Sequence, residues 1–263
     1  MTDPGQVVLE IKELNAGSIA ELTISRPAKL NAITPQVIED LILNFRQLSE
    51  MDELRAVILR GAGKRAFTAG ADIHILQSLD KHSAVKFITQ LHNAIEAIRL
   101  LPAPVIARIS GYCFGAGMEI AAGCDLRAAD HTATFSMPEV RVGIPSVIEA
   151  VLLPDLIGWG KTRELLLTGK QMTAEEALQA GFVQSLCDPR QLDDHIQSWI
   201  DDILLCGPAA VKIQKKLISN WEQSSRDASI VESITDFAQA YETDEPHRYM
   251  ASALETLKMK TKN

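Results

Sequence analysis

Two segments of this chain repeat one design: a short apolar strand that runs straight into a turn of very small residues. The first is Val57-Ile58-Leu59-Arg60, leading to Ala66-Phe67-Thr68-Ala69-Gly70-Ala71-Asp72-Ile73. The second is Val105-Ile106-Ala107-Arg108-Ile109, leading to Gly111-Tyr112-Cys113-Phe114-Gly115-Ala116-Gly117-Met118-Glu119. Tiny residues let another group approach the backbone closely. A helix that begins in such a turn leaves N–H groups unpaired and aims its positive dipole end outward. Two such N–H groups meeting at one point make an oxyanion hole. Taken singly, either segment is equally explained as close strand-to-helix packing.

The surrounding pattern predicts an α/β fold. Val7 to Lys12 and Ile19 to Ser25 alternate apolar and polar residues around Asn15-Ala16-Gly17-Ser18, which predicts a β-hairpin. Thr34-Pro35 opens a helix with Thr34 as N-cap and an apolar stripe at Val37, Ile38, Leu41, Ile42, Phe45 and Leu48. Strands are predicted at 55–60, 105–109, 126–128 and 134–136, with a loop over 61–72 and a helix over 83–101. Thr173-Ala174-Glu175-Glu176 is a capping box and Gly181 a C-cap. Beyond residue 145 the strand signal stops, and helices follow near 193–205, 208–222, 229–241 and 246–258. Strand–helix alternation up to about residue 190 defines a core, 1–190, and 191–263 a helical C-terminal region.

Composition narrows the function classes. Of 263 residues, 46% are hydrophobic, enough for a large core, and the net charge of −8 argues against nucleic-acid or anionic-membrane partners. No apolar run approaches the ~20 residues needed to span a bilayer, and the start lacks a signal or transit pattern. A cytoplasmic location is therefore expected. Cys113, Cys124, Cys187 and Cys206 form no Cys-x-x-Cys pair and have no His at ligand spacing, so no metal site is expected. There is no nucleophile elbow and no P-loop. Lys212, Lys215 and Lys216 read as a solvated helix face, with a phosphate or RNA contact as the sharper alternative.

Two carboxylates stand out among 34 acidic residues. Glu119 falls in the first turn of the helix after Gly115-Ala116-Gly117, and helical side chains lean toward the N-terminus, where the free N–H groups lie. Glu139 follows Pro138 just after a strand. Flanking apolar residues are expected to bury both, and burial raises a carboxyl pKa toward the range useful in acid–base catalysis.

Together these segments resemble the enoyl-CoA hydratase/isomerase (crotonase) family. Arg26-Pro27-Ala28-Lys29-Leu30-Asn31-Ala32 is similar to its early loop, 66–73 to its first oxyanion segment and 111–119 to its second, continuing into Gly123-Cys124-Asp125. Met137-Pro138-Glu139, Gly143-Ile144-Pro145, Leu167-Thr168-Gly169 and Gly181-Phe182-Val183 follow in the family's order. The resemblance implies a spiral of ββα units, a C-terminal helical trimerisation region, and a homo-trimer or a hexamer built as a dimer of trimers. It implies that the N–H groups of Ala71 and Ala116 bind the thioester oxygen. Lys29 and Ala69, Gly70, Ala71, Asp72, Ile73 and His74 would hold the coenzyme A part of the substrate, and no separate cofactor is implied. Glu119 would deprotonate a water for the β-carbon and Glu139 would protonate the α-carbon of a 2-enoyl-CoA. Isomerisation of a 3-enoyl-CoA, other acyl-CoA reactions of the family, an RNA-binding homologue and a silent scaffold are the alternatives.

Three departures stand against that pattern. Where the hydratases carry a glycine-rich turn, this chain has Ser146-Val147-Ile148-Glu149-Ala150-Val151-Leu152. Glu149 reads either as an exposed helical position or as a third carboxylate near the acyl pocket. His74 replaces a frequent lysine. Asp244 to Met250 matches the family's C-terminal pattern only in part.

Overall fold

The computed structural model describes residues 3–260. Two compact units divide it, Met1–Ile200 and Asp201–Asn263.

The first unit holds two sheets that the chain visits alternately. β1 (Gln6–Leu14) and β2 (Gly17–Ser25) form the expected hairpin, with Leu14 opposite Gly17 across a two-residue turn. Their sheet continues through β3 (Leu54–Gly61), β5 (Val105–Ile109), β7 (Leu126–Asp130) and β10 (Ser185–Cys187), in the order β1-β2-β3-β5-β7-β10. The second sheet has the order β4-β6-β8-β9, from β4 (Ala66–Thr68), β6 (Tyr112–Phe114), β8 (Thr134–Ser136) and β9 (Gln171–Thr173). β3, β5 and β7 of the first sheet are thus each followed by a three-residue strand of the second. A helical segment follows after β4 and β6: α2 (Ile73–Ser78) with α3 (Lys81–Leu100), then α4 (Ala116–Gly123). This is the ββα spiral.

Local chemistry explains where the elements begin. α1 (Pro35–Ser49) starts where the Thr34 hydroxyl accepts the Val37 N–H at 3.2 Å, with Pro35 at the first helical position. It buries Val37, Ile38, Leu41, Phe45 and Leu48 against the large sheet; Ile42 is only half-buried. α3 opens on an Asp80–Ser83 capping box and buries Phe87, Leu91, Ile95 and Ile98. α6 (Ala174–Ala180) has the predicted Thr173–Glu176 box, and Gly181 closes it in the left-handed region.

Several elements differ from the sequence expectation. β4 forms inside the predicted loop, and β9 and β10 lie beyond residue 145, where no strand was expected. All three are three residues long, too short for alternation to register. α5 (Leu153–Thr168) is also unpredicted; Gly158, at φ 72°, kinks it and breaks its periodicity. The turn 111–117 contains β6 and the first two residues of α4.

The second unit takes the last turn of α7 (Leu192–Leu205) together with α8 (Pro208–Gln223), α9 (Arg226–Gln239) and α10 (Glu245–Lys260). The buried Glu245 carboxylate caps α8 by accepting the N–H groups of Ala209 and Ala210 at 3.1 and 3.0 Å. The expected solvated lysine face is found only in part: Lys216 is exposed and Lys212 half-buried. Lys215 is buried, and Lys216 pairs with the buried Asp236 of α9 at 2.8 Å. Among the described residues no helix is long and apolar enough to cross a membrane.

Candidate active site

The early segment that ends in Asn31 builds the first tiny-residue turn. Leu30 and Asn31 both sit at positive φ, 54° and 56°. The Asn31 side chain donates to the carbonyls of Ala62 and Ala66 at 3.0 and 2.9 Å and accepts the Arg26 N–H at 3.0 Å. The backbone then holds the turn from both sides. Ala69 N–H donates to Leu30, Ile33 N–H to Gly70, and Asp72 N–H to Ile33, at 2.8–3.0 Å. Ala71, between these bonds, is left with its N–H uncommitted to any protein acceptor among the described residues.

The second turn meets the first at Gly70. That residue has φ 93°, and a Cβ there would lie 2.8 Å from the Phe114 carbonyl and 3.6 Å from the Ala116 nitrogen. Only glycine combines that conformation with that approach. Gly115 donates to the Ser136 carbonyl at 2.8 Å, and its own carbonyl accepts Met118 and Glu119 N–H. Ala116, the first residue of α4, also has an N–H that meets no protein acceptor among the described residues.

Both turns line one cavity of about 190 Å³. Ala69, Gly70, Ala71 and Ile73 come from the first turn and Gly115, Ala116 and Glu119 from the second. Phe87, Ile88 and Leu91 of α3 form an apolar wall. Glu139, in a short 3-10 turn at Glu139–Val142, faces the same space together with Ser146 and Val147. The apolar wall and the Ser146 contact were not anticipated; the hydroxyl of Ser146, polar in an otherwise apolar stretch, donates to Glu139 Oε2 at 2.7 Å.

The two carboxyls have different surroundings. Glu119 is 4% exposed. Burial first, then the negative charge of Glu139, then that of Glu149 push its pKa up to about 8, against the N–H groups of Ala150 and Val147. Glu139 is only half-buried, not enclosed as expected, because the turn after Pro138 leaves one side open. Glu149 is neither exposed nor in a surface helix. It is 5% exposed in the 3-10 segment Ile148–Leu152, and its Oε1 meets His92 Nδ1 at 2.6 Å.

The remaining predicted site residues are not brought to the cavity wall. Asp72 is buried, pairs with Arg26, and caps α2 by accepting His74 N–H at 2.9 Å. Burial pushes its carboxyl up, but the Arg26 and His74 hydrogen bonds and the Arg26 charge outweigh that, leaving it below the usual range. Lys29 and His74 have exposed side chains, on a 3-10 turn and on α2.

Comparison with known proteins identifies the family. The family model described as enoyl-CoA hydratase/isomerase matches residues 15–262. A short-chain-enoyl-CoA hydratase of Clostridium acetobutylicum is 32% identical over 92% of this chain and 94% of its own length. A crotonyl-CoA hydratase of Syntrophomonas wolfei is 29% identical over 96% of both chains. The crystal structure of an enoyl-CoA hydratase from Mycobacterium smegmatis superposes with a TM-score of 0.89, at 29% identity over 94% of this chain and 96% of that one. Paired tiny-residue turns on a ββα spiral, a family match over nearly the whole chain, and relatives of matching length lead to one conclusion: this chain belongs to the enoyl-CoA hydratase/isomerase family.

Proposed function

We propose that the protein adds water across the 2,3 double bond of a 2-enoyl-CoA. The observation that carries this reading is the facing of two carboxyls, Glu119 and Glu139, into the cavity that also receives the uncommitted N–H groups of Ala71 and Ala116. Those two N–H groups bind the thioester oxygen and stabilise the enolate charge that develops on it; losing one such donor typically costs ~10²–10³ in rate. The N-terminus of α4 adds its dipole.

Hydration needs one carboxyl that takes a proton from water at the β-carbon and one that gives a proton to the α-carbon. One proton shared by the pair meets that requirement. In the resting site burial holds it on Glu119. For Glu119 to act on the water and Glu139 on the α-carbon, the proton first crosses to Glu139 through the water held between them. Ser146 orients the Glu139 carboxyl for this. The polarised thioester is electrophile enough that the scheme calls on no further cofactor. The exposed Lys29 and His74, near the mouth formed by 69–73, would meet the coenzyme A part. The same kinship suggests a homo-trimer or dimer of trimers, which sedimentation would test.

The test is loss of the conjugated-thioester absorbance of crotonyl-CoA and longer 2-enoyl-CoAs, with a 3-hydroxyacyl-CoA identified by mass. Glu119→Gln and Glu139→Gln should each lose about 10²–10⁴. Full turnover by the double variant would refute the assignment, and inertness of the wild type toward every chain length would refute hydration.

A further inference from the structure

The turn that follows Ile144-Pro145 is the part of the site with no role so far. Its backbone is unusual: Ile148 sits at φ 43°, a left-handed conformation that costs a β-branched residue about 1–2 kcal/mol. The conformation turns Glu149 inward, to 5% exposure, toward α3 and away from solvent. There one carboxylate oxygen meets His92 Nδ1 at 2.6 Å, while the other is buried and has no partner among the described residues. His92 itself is half-exposed. Ser146 and Val147 of the same turn line the cavity beside Glu119, and the Ala150 N–H closes the turn on the Val147 carbonyl at 3.0 Å. Glu149 is therefore tied on one side to a solvent-facing imidazole and carried on the other by the turn that encloses Glu119.

We propose that Glu149, anchored by His92, is a positioning residue for Glu119: a third buried carboxylate whose charge and seating govern how Glu119 holds and releases its proton. The inference rests on the hydratase reading for its catalytic meaning. The titratable groups around the pair are His92 and Glu96 on α3, Glu119 on α4, and Glu139 across the cavity. Burial pushes the Glu149 carboxyl up and the His92 hydrogen bond pulls it back. His92 thus favours the charged form of Glu149, and charge on Glu149 disfavours charge on Glu119. A buried carboxylate oxygen with no donor of its own is costly as packing alone, which argues for a role beyond holding the turn.

The test is the pH dependence of kcat/KM for crotonyl-CoA, read beside an NMR titration of the Glu119 carboxyl carbon in the resting protein. Glu149→Gln keeps the shape and removes the charge, so the alkaline limb and the Glu119 midpoint should both move down by about 0.5–1 pH. His92→Leu, on the open side of α3, should move them the same way, because loss of the His92 hydrogen bond disfavours charge on Glu149. The double variant should shift no further than Glu149→Gln alone. A uniform loss of rate at every pH with an unmoved midpoint would overturn the proposal and leave a merely structural contact. If Glu149→Gln does not fold, His92→Leu decides alone: a fixed midpoint overturns the proposal. An inactive wild type whose Glu119 midpoint still moves would refute hydration and leave the coupling standing.

Discussion

Glu139 reaches over Gly115 so closely that a Cβ on that glycine would lie 2.3 Å from its Oε1. Gly115 also has φ 51° and sits one residue before the Ala116 N–H. One residue thus sets both the carboxylate and the N–H proposed to bind the thioester oxygen. Gly115→Ala should displace Glu139 and strain the turn by about 1–2 kcal/mol. A misplacement of ~1 Å can cost ~10² in rate. Steady-state kinetics should show kcat falling by about that factor, with a modest drop in Tm. An unchanged kcat would mean that Glu139 is free to move without consequence.

The rate should fall as pH rises through about 8. Above that pH Glu119 is ionised, and the pair no longer holds the proton that must be delivered to the α-carbon. A kcat/KM profile still rising at pH 9 would contradict the shared-proton scheme.

Stability should follow the same group with a defined sign. The Glu119 pKa is raised from 4.5 to about 8, so the unfolded chain ionises first. Its contribution is fully present below pH 4.5 and is lost progressively as pH rises toward 8. Glu119→Gln stays neutral and escapes that loss. Denaturant unfolding should find the variant more stable than wild type at pH 8, by an amount on the order of a few kcal/mol, and no more stable near pH 4.5. Equal stability of the two proteins at both pH values would indicate that water reaches Glu119 more freely than its burial implies.

Arg26 and Asp72 form a pair whose side chains are 5% and 8% exposed, beneath the turn that presents Ala71. Removing one partner of a buried pair typically costs ~3–5 kcal/mol. Arg26→Met should destabilise the first unit by about that amount and raise KM, because the first turn loses its footing. The Asp72 carboxyl is held below its ordinary value, so the pair's contribution is present at neutral pH and is lost on acidification through that value. Calorimetry at pH 7 should detect the loss; an unaltered Tm would show the pair to be dispensable.

Much of the site was legible in order along the chain. Thr34-Pro35, the Thr173–Glu176 box and Gly181 mark helix ends through chemistry complete within a few residues, and each works as its residue types dictate. The two tiny-residue turns and the two glutamates carry the family resemblance on the same local grounds. Pairing over distance was not legible. The three-residue strands β4, β9 and β10 exist only because partners far along the chain align with them. Whether Glu149 was a surface residue or a third carboxylate stayed open, because its burial depends on His92, fifty-seven positions earlier, and on a left-handed Ile148 that no propensity favours. Lys215 looked solvated because a charged residue gives no local sign of the tertiary contacts that bury it. Sequence alone thus determined the family, the two tiny-residue turns and which carboxyls to watch. Only the tertiary structure decided that Glu119 is enclosed while Glu139 stays half-open, because desolvation and the mutual repulsion of three carboxyls arise from contacts between segments that meet only after folding.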